Sequence, residues 1–353
     1  MICEPESGPL EARQLPFEAI PVIDFQPFLT GTDAARHSVV QAIDQASREV
    51  GFFYLSNHGI DQSLIDKTFS EARRFFALPL ARKREIAIEQ SSCHRGYFSI
   101  GGENLDPGRF DSTQQGLRGD FKEGLKIGRD LALDHPLVLA QTPLHGPNQW
   151  PADLPGWHEA MQTYYDACNA LGQSLMHAFA LALQLPEDYF DRWLSGPTMA
   201  TLGPLHYPPQ PEPLSEPQLG AGAHTDYGCL TILAQDDTGG LQVCNSSGQW
   251  IAAPPLTGTF VINIGDMLAR WSNDRYASTR HRVINRSGRD RYSLAFFYDP
   301  EFSANVSCLP TCCGPDNPPR YAPTTSGQYL LDRINEAFEY HRSKTATLSD
   351  QQP

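Results

Sequence analysis

The sequence predicts an α+β, mainly β fold in which a helical N-terminal half packs around a β core at about residues 200–305. Before Gly196-Pro197, apolar residues recur three and four positions apart, which is the periodicity of amphipathic helices. After it, short β-type runs are separated by Gly, Asn, Asp or Pro, as in an all-β sandwich, barrel or jelly roll. These runs are residues 230–234, 241–243, 250–252, 259–264, 282–285 and 292–298.

The N-terminal elements alternate between strand and helix. Residues 20–29 predict a short buried strand that ends in a turn, and residues 34–50 predict an amphipathic helix. Gly51 ends this helix, and residues 52–55 predict a second strand. A second helix is expected over residues 62–77, where Leu78-Pro79 stops it.

The middle and the end of the chain are less regular. Residues 91–155 are rich in Gly, Pro and Asp, so we expect long functional loops there. A long helix over residues 156–185 and a short one over 187–194 follow. A Pro- and Cys-containing loop (308–323), a helix (328–341) and a polar tail complete the chain.

Composition excludes several classes of protein. The chain has 353 residues and a net charge of −14, which argues against a generally basic nucleic-acid binder. Its apolar runs are too short to span a bilayer, and no secretory signal pattern precedes residue 20. We therefore expect a cytoplasmic monomer or homodimer that binds neither nucleic acid nor membrane.

Three cysteines stand close together near the C-terminus, at Cys308, Cys312 and Cys313. A structural zinc site needs four ligands, and no second Cys/His pair lies nearby in the sequence. We interpret the three as reduced thiols without a metal, with a redox-active pair of the adjacent Cys312 and Cys313 as the open alternative.

A candidate metal site lies in the predicted β core. His224-Thr225-Asp226 carries an imidazole and a carboxylate two residues apart, and on a strand such a pair points to one face. This motif also arises by chance, as a surface histidine beside a turn aspartate. His281, just before a later β run, supplies a second imidazole. Two imidazoles and a carboxylate form a facial triad that leaves three positions of an octahedral Fe(II) ion open.

A candidate anion site follows the metal residues in the chain. Arg291 and Ser293 open a β run as another i, i+2 pair, and Tyr207 lies upstream of the candidate metal strand. An arginine fork beside a hydroxyl suits the far end of a dicarboxylate. A second Arg-x-Ser, at residues 36–38, starts a polar helix and is interpreted as solvated surface.

These residues resemble the isopenicillin N synthase-like family of Fe(II)/2-oxoglutarate-dependent oxygenases. The resemblance covers nearly the whole chain in seven blocks that keep the family's order and spacing. The blocks are residues 20–25 (Ile-Pro-Val-Ile-Asp-Phe), 51–60, 223–233, 239–243, 261–267, 278–283 and 291–293. One departure is Leu205-His206-Tyr207-Pro208, where plant members usually have Asn-Tyr-Tyr-Pro.

The resemblance implies a double-stranded β-helix, that is, a jelly-roll, cupin-like core with flanking and N-terminal helices. It implies that Fe(II) is bound by His224, Asp226 and His281, and that 2-oxoglutarate is bound by Arg291, Ser293 and Tyr207. The enzyme would use O2 to hydroxylate, desaturate or cyclise a small-molecule substrate, releasing succinate and CO2.

The positions of these residues predict one integrated catalytic unit, because the candidate metal and 2-oxoglutarate residues all fall between Tyr207 and Ser293. An N-terminal helical and loop region (1–195) would pack on the jelly-roll core (196–305), and a C-terminal loop, helix and tail (306–353) would complete it.

Other functions stay open at this point. Within the same fold, the chain could be an ethylene- and succinate-forming enzyme, or a 2-oxoglutarate-independent Fe(II) oxidase like isopenicillin N synthase. A zinc hydrolase would not need the Arg-x-Ser pair, and a catalytically inactive binding module would not need all three metal ligands. The joint presence of both features disfavours these two classes.

The substrate pocket is predicted from position alone. Tyr227 follows the candidate metal aspartate, Phe297 lies farther along the Arg291 strand, and a loop at 94–110 would cover the mouth. The candidate pocket residues are Tyr227, Phe297, Arg95, Tyr97 and His206. His58, His177 and Asp266 are interpreted as structural residues, with Asp266 capping a turn after Gly265.

Overall fold

The computed structural model of the chain describes residues 20–106, 119–210 and 218–338. The strands in these ranges are β1 (Val22–Asp24), β2 (Phe52–Ser56), β3 (Gly96–Phe98), β4 (Glu123–Gly128), β5 (Thr201–Tyr207), β6 (Ala221–His224), β7 (Leu230–Gln235), β8 (Leu241–Cys244), β9 (Trp250–Ala252), β10 (Thr259–Ile264), β11 (His281–Val283), β12 (Arg291–Tyr298), β13 (Asn305–Val306) and β14 (Thr324–Thr325). The helices are α1 (Gln26–Thr30), α2 (Asp33–Glu49), α3 (Gln62–Phe76), α4 (Leu80–Lys83), α5 (Pro136–Leu139), α6 (Trp157–Ala182), α7 (Asp191–Leu194), α8 (Asp266–Trp271) and α9 (Ser326–Ala337).

Two sheets form the core. In the described residues the large sheet has the strand order β1-β2-β10-β7-β12-β5-β4-β3, and the small sheet has the order β6-β11-β8-β9. Only β1 and β2 pair in parallel among these strands; the other pairs are antiparallel. The two sheets with their flanking helices confirm the predicted double-stranded β-helix.

The large sheet is buried on both faces. Along β12, Leu294 and Phe296 belong to the hydrophobic cluster that includes the helices, whereas Ala295 belongs to the cluster shared with the small sheet. Side chains of β2 alternate in the same way, with Phe53 towards the helices and Phe52 towards the small sheet. Because successive side chains of a strand point to opposite faces, burial on both sides explains the continuous apolar runs in the sequence.

The longest helix, α6, lies against the helix-side face of β12. Tyr165 of α6 packs on Phe296, with ring centroids 5.1 Å apart. Gly172 lies directly over Tyr298, because a Cβ added to this glycine would come within 2.6 Å of the tyrosine ring. A residue without a side chain is therefore needed where the helix crosses the strand.

The segment at 91–155 departs from the predicted long loops, because β3 and β4 within it extend the large sheet. Gly124 of β4 shows the reason: an added Cβ would lie 2.5 Å from the Phe98 ring and 2.6 Å from Leu205. Glycine is depleted in strands, so the composition resembles a loop, although close packing requires it here. The predicted short helix at 187–194 is also shorter, starting at Asp191.

The N-terminal region contributes strands as well as helices, since β1 to β4 all belong to the large sheet. The division into units at 195/196 and 305/306 stays a prediction. Residues 1–19, part of the predicted mouth loop (107–110) and the polar tail lie outside the described residues. Among the helices of the described part, none is long and apolar enough to cross a membrane.

We predict that Gly172→Val lowers the free energy of unfolding by at least about 2 kcal/mol, because the new side chain collides with a buried tyrosine ring. Urea denaturation measures the change. Ala170→Val on the same helix is the control, since Ala170 is exposed. Equal stability losses in the two variants would contradict the assigned contact.

Candidate active site

Three side chains meet between the sheets at His224, Asp226 and His281. One ligand atom from each lies within 4.8 Å of the others, and the described residues contain no second such group of three or more His, Cys, Asp or Glu side chains. His224 ends β6, His281 begins β11, and the two residues are direct partners in the antiparallel pairing. The pairing of β6 with β11 therefore brings the two imidazoles together, with ring centroids 4.3 Å apart.

The carboxylate of Asp226 reaches this cluster by a different route from the predicted one. Because β6 ends at His224, strand alternation does not orient Asp226, which corrects the i, i+2 argument. Instead, Asp226 Oδ2 accepts hydrogen bonds from the hydroxyl of Thr231 and, at 2.8 Å, from Asn263 Nδ2. Oδ1 is left 3.5 Å from His224 Nε2 and 3.6 Å from His281 Nε2.

Backbone carbonyls set the tautomers of both histidines. His224 Nδ1 lies 2.7 Å from the oxygen of Gly222, and His281 Nδ1 lies 3.2 Å from that of Thr279. A carbonyl oxygen can only accept, so each Nδ1 carries a hydrogen, and Nε2 is the ring nitrogen that faces Asp226.

Burial and charge set the protonation of the cluster. Burial lowers the pKa of His281 to about 4, so the ring is neutral at pH 7. Burial raises the pKa of Asp226, but the His281 and His224 rings and the Asn263 amide outweigh it and hold this pKa well below its usual range. Two imidazole nitrogens and a carboxylate oxygen are a donor set that could hold a divalent transition metal.

A second polar pair lies on β12 in the same cavity. Arg291 and Ser293 are each 1% exposed, and both line the cavity that contains the three candidate ligands. Arg291 donates to the carbonyl of Gly239 and to Gln235 Oε1, and its guanidinium lies 4.6 Å from the centroid of the Tyr207 ring.

Two donors of this pair stay unsatisfied. Within the described part of the chain, Arg291 Nη1 and Ser293 Oγ are buried without a hydrogen-bond partner. Buried polar atoms nearly always have such a partner. Two donors side by side in a cavity wall could therefore hold the carboxylate of a bound acid.

Asp266 links the cluster of His224, Asp226 and His281 to the C-terminal helix. Its carboxylate accepts from Thr225 at 3.1 Å, from Ser278 at 2.7 Å and from Tyr329 of α9 at 3.3 Å. Its backbone N–H donates to the oxygen of Asp226 at 2.8 Å. In the described residues the donors to its carboxylate are hydroxyls and not a backbone N–H of the turn, which corrects the predicted turn cap: Asp266 instead holds the segments of Thr225 and Ser278 against α9.

Of the predicted pocket residues, Tyr227, Phe297 and Arg95 line the cavity. Arg95 also donates to backbone carbonyls, including that of Leu144 at 3.0 Å, and so stabilises the backbone of the cavity wall. The cavity is closed further by α9 and the residue after it, through Leu330, Ile334 and Phe338.

Tyr97 and His206 lie on the opposite face of the large sheet, which corrects their assignment to the pocket. Both bind the carboxylate of Glu123, Tyr97 at 2.6 Å and His206 at 2.8 Å. Lys83 Nζ pairs with the same carboxylate at 2.6 Å. On β5, His206 lies between Leu205 and Tyr207, which line the cavity, so strand alternation turns it towards the helices.

Three further charged side chains lie in the cavity wall and were not predicted from the sequence: Glu103, Lys122 and Lys126. They belong to the segment that was predicted to form loops. Lys126 lies on β4, which pairs with β5, and Lys122 directly precedes this strand. Glu103 is held beside them by its ion pairs with both lysines. Their order in the sequence carries no signal for this, because neither metal-ligand spacing nor helical periodicity relates them.

Other residues fit the structural roles expected from the sequence. His58 packs on Phe260 with ring centroids 4.2 Å apart, and His177 Nε2 lies 2.9 Å from Asp191 Oδ1. Cys308, Cys312 and Cys313 are free thiols.

Comparisons with known proteins agree with this geometry. Residues 199–300 match the family described as the 2OG-Fe(II) oxygenase superfamily, and residues 20–153 match the N-terminal family of non-haem dioxygenases in morphine synthesis. The 2-oxoglutarate-Fe(II) type oxidoreductase hxnY of Emericella nidulans is 40% identical over 326 residues, covering 91% of this chain and 90% of that protein.

Further relatives extend the comparison. Homoarginine-6-hydroxylase of Oryza sativa is 36% identical over 345 residues, covering 91% of this chain and 98% of that protein. A full-length Neurospora crassa protein, whose crystal structure contains alpha-KG and thymine, is 33% identical and has a TM-score of 0.78, covering 90% of this chain and 96% of that one.

We predict that His281→Ala weakens the retention of Fe(II) by about 100-fold or more, since even loss of a residue that only supports a ligand costs 10- to 100-fold. Metal content after anaerobic loading and desalting measures it. His177→Ala is the matched control, because His177 pairs with Asp191 away from the cluster. Full retention in His281→Ala would show that the cluster is misassigned.

We also predict that Asp266→Ala lowers the free energy of unfolding by about 1–3 kcal/mol, through the loss of its three side-chain hydrogen bonds. Retention of Fe(II) should fall as well, because two of these bonds hold the ligand segments. Asp274→Ala, which removes an exposed acceptor of Tyr321 and Arg320, is the control for unfolding and metal content. Equal effects of both substitutions would argue against a positioning role for Asp266.

Proposed function

The chain belongs to the 2OG-Fe(II) oxygenase superfamily, and on this premise we propose a role for each residue of the site. It is an oxidoreductase that uses Fe(II), 2-oxoglutarate and O2 to oxidise a small-molecule substrate. In our proposal His224, Asp226 and His281 bind the iron, and Arg291 and Ser293 bind the far carboxylate of 2-oxoglutarate.

One observation carries this proposal. Arg291 Nη1 and Ser293 Oγ are unsatisfied buried donors in the same cavity as the three candidate metal ligands. A dicarboxylate that reaches from the iron to β12 would satisfy both donors. A metal hydrolase without an acid cosubstrate would leave them unpaired, at a cost of about 1–3 kcal/mol each.

Neighbouring groups hold the Arg291 guanidinium in one orientation. Tyr207 lies under the Arg291 guanidinium and restricts its orientation, while Gly239 and Gln235 hold its other donors, so that Nη1 points to the cosubstrate. The predicted hydroxyl contact from Tyr207 to 2-oxoglutarate is part of the proposal. A guanidinium fixed in this way loses little entropy when the acid binds.

The iron, when bound, would supply the activation of O2 and the oxidation of a substrate C–H bond, coupled to conversion of 2-oxoglutarate to succinate and CO2. The side chains of the protein position Asp226 and shield the cavity from water. Thr231 and Asn263 hold one oxygen of Asp226, so that the other stays directed at the two Nε2 atoms. Leu330, Ile334 and Phe338 cover the cavity with apolar surface and reduce the access of water.

Some expectations stay predictions from the sequence. A cytoplasmic location and a monomeric or homodimeric state are among them. The exclusion of nucleic acid rests on the net charge of −14 alone, and the Neurospora crassa relative was crystallised with thymine.

We predict that Arg291→Ala weakens 2-oxoglutarate binding by about 100-fold, because charge-assisted hydrogen bonds worth about 1.5–3 kcal/mol each are lost. The protein is loaded with Fe(II) without oxygen, 2-oxoglutarate is titrated, and the visible charge-transfer band is recorded. Arg289→Ala is the matched control, since its side chain is 60% exposed.

Admission of oxygen then separates the reactions within this fold. Succinate formed with substrate, and lost in Arg291→Ala, supports the proposal. Ethylene among the products would identify the ethylene-forming type, and substrate oxidation without 2-oxoglutarate would identify the oxidase. The proposal is contradicted if the anaerobic titration gives no band and the reaction with oxygen gives no more succinate than Arg291→Ala does.

A further inference from the structure

The cavity has two chemically different ends along β12. Arg291 and Ser293 lie at the start of the strand, and Phe297 lies six residues after Arg291, which is about 20 Å of extended chain. All three line the cavity, and Phe297 belongs to the same apolar cluster as Phe338 and Ile334. With 2-oxoglutarate at the Arg291 end, the Phe297 end is left for the substrate.

A lysine ammonium lies at the Phe297 end. Lys126 lines the cavity from β4, and its side chain is 12% exposed. Its Nζ lies 5.2 Å from the ring centroid of Phe297, 5.6 Å from that of Phe98 and 5.9 Å from that of Phe338. Three phenyl rings therefore fix the position of this cation without accepting its hydrogen bonds in the way that an oxygen would.

Glu103, the carboxylate beside Lys126, also pairs with a second lysine. Glu103 Oε1 lies 3.3 Å from Lys126 Nζ, but Glu103 Oε2 pairs with Lys122 at 2.9 Å. Lys122 pairs in turn with Asp120 at 2.6 Å, and the second oxygen of Asp120 accepts from the N–H of Gly222. Lys122 thus has two carboxylate partners, whereas in the described residues Lys126 has only one oxygen of Glu103, at 3.3 Å, and shares this carboxylate with Lys122.

We propose that Lys126 binds a carboxylate of the oxidised substrate, and that this substrate is a small carboxylic acid with a flat apolar body. A substrate carboxylate would give Lys126 the acceptor that Glu103 supplies only in part, because Glu103 is shared with Lys122. Tyr227, Phe297 and Phe338 provide aromatic surface for the flat body. The inference rests on the proposed function, because it assumes that 2-oxoglutarate occupies the Arg291 end.

Benzoate and benzamide test the proposal, because they share a shape and differ in charge. Both are titrated by calorimetry into protein loaded with Fe(II) and saturated with 2-oxoglutarate, without oxygen. We expect benzoate to bind at least 10-fold more tightly than benzamide. In Lys126→Met the affinity for benzoate should fall at least 10-fold, while that for benzamide changes less than 3-fold.

Two further variants complete the experiment. Lys126→Arg should keep the preference for benzoate, because it keeps the charge. Lys67→Met, which removes an exposed lysine of α3, should behave like the wild type. Binding of 2-oxoglutarate to Lys126→Met should match the wild type and shows that this variant is folded.

The proposal is overturned if benzoate does not bind, if it binds no more tightly than benzamide, or if its preference survives in Lys126→Met. Loss of the preference in Arg291→Ala but not in Lys126→Met would place the acid at the cosubstrate end, and it also overturns the proposal. Failure of the proposed function has a different signature, since the wild type would then not bind 2-oxoglutarate.

Discussion

The carboxylate of Asp226 is the group on which the site depends, because it joins the two sheets. One oxygen is held by Thr231 and Asn263 of the large sheet, and the other faces two histidines on strands of the small sheet. A buried carboxylate is costly unless it is hydrogen-bonded or paired, so its position requires both sheets at their observed separation. The same requirement directs the lone pairs of the three residues to one point.

Burial of the large sheet on both faces supports this arrangement. Helices cover one face, so the strands are held by apolar packing where the other face carries polar groups into a cavity. Arg291 and Ser293 illustrate the effect, since both are almost fully buried although they present unpaired donors. The surrounding apolar packing offsets the cost of these donors, and it includes the contact between α6 and β12 at Gly172.

Asp266 connects this centre to the cover of the cavity. It binds Thr225 and Ser278, which are neighbours of the metal-ligand positions, and Tyr329 on α9. The Arg333 guanidinium of the same helix lies 4.6 Å from the ring centroid of Tyr227. A displacement of α9 would therefore shift Thr225 and Ser278, because Asp266 is hydrogen-bonded to both residues and to Tyr329.

The sequence by itself determined a β core and most of the long helices, because apolar periodicity reports which faces are buried, and the resemblance to a known family narrowed this core to a jelly roll. It also identified the two polar groups of the site, His224, Asp226 and His281 with Arg291 and Ser293, through their spacing and order. Only the tertiary structure decided how Asp226 is oriented, that β4 is a strand, and that Lys126 rather than Tyr97 or His206 reaches the cavity. Those outcomes depend on contacts between strands distant in the chain, such as the approach of Gly124 to Phe98 and Leu205, and local sequence patterns do not encode them.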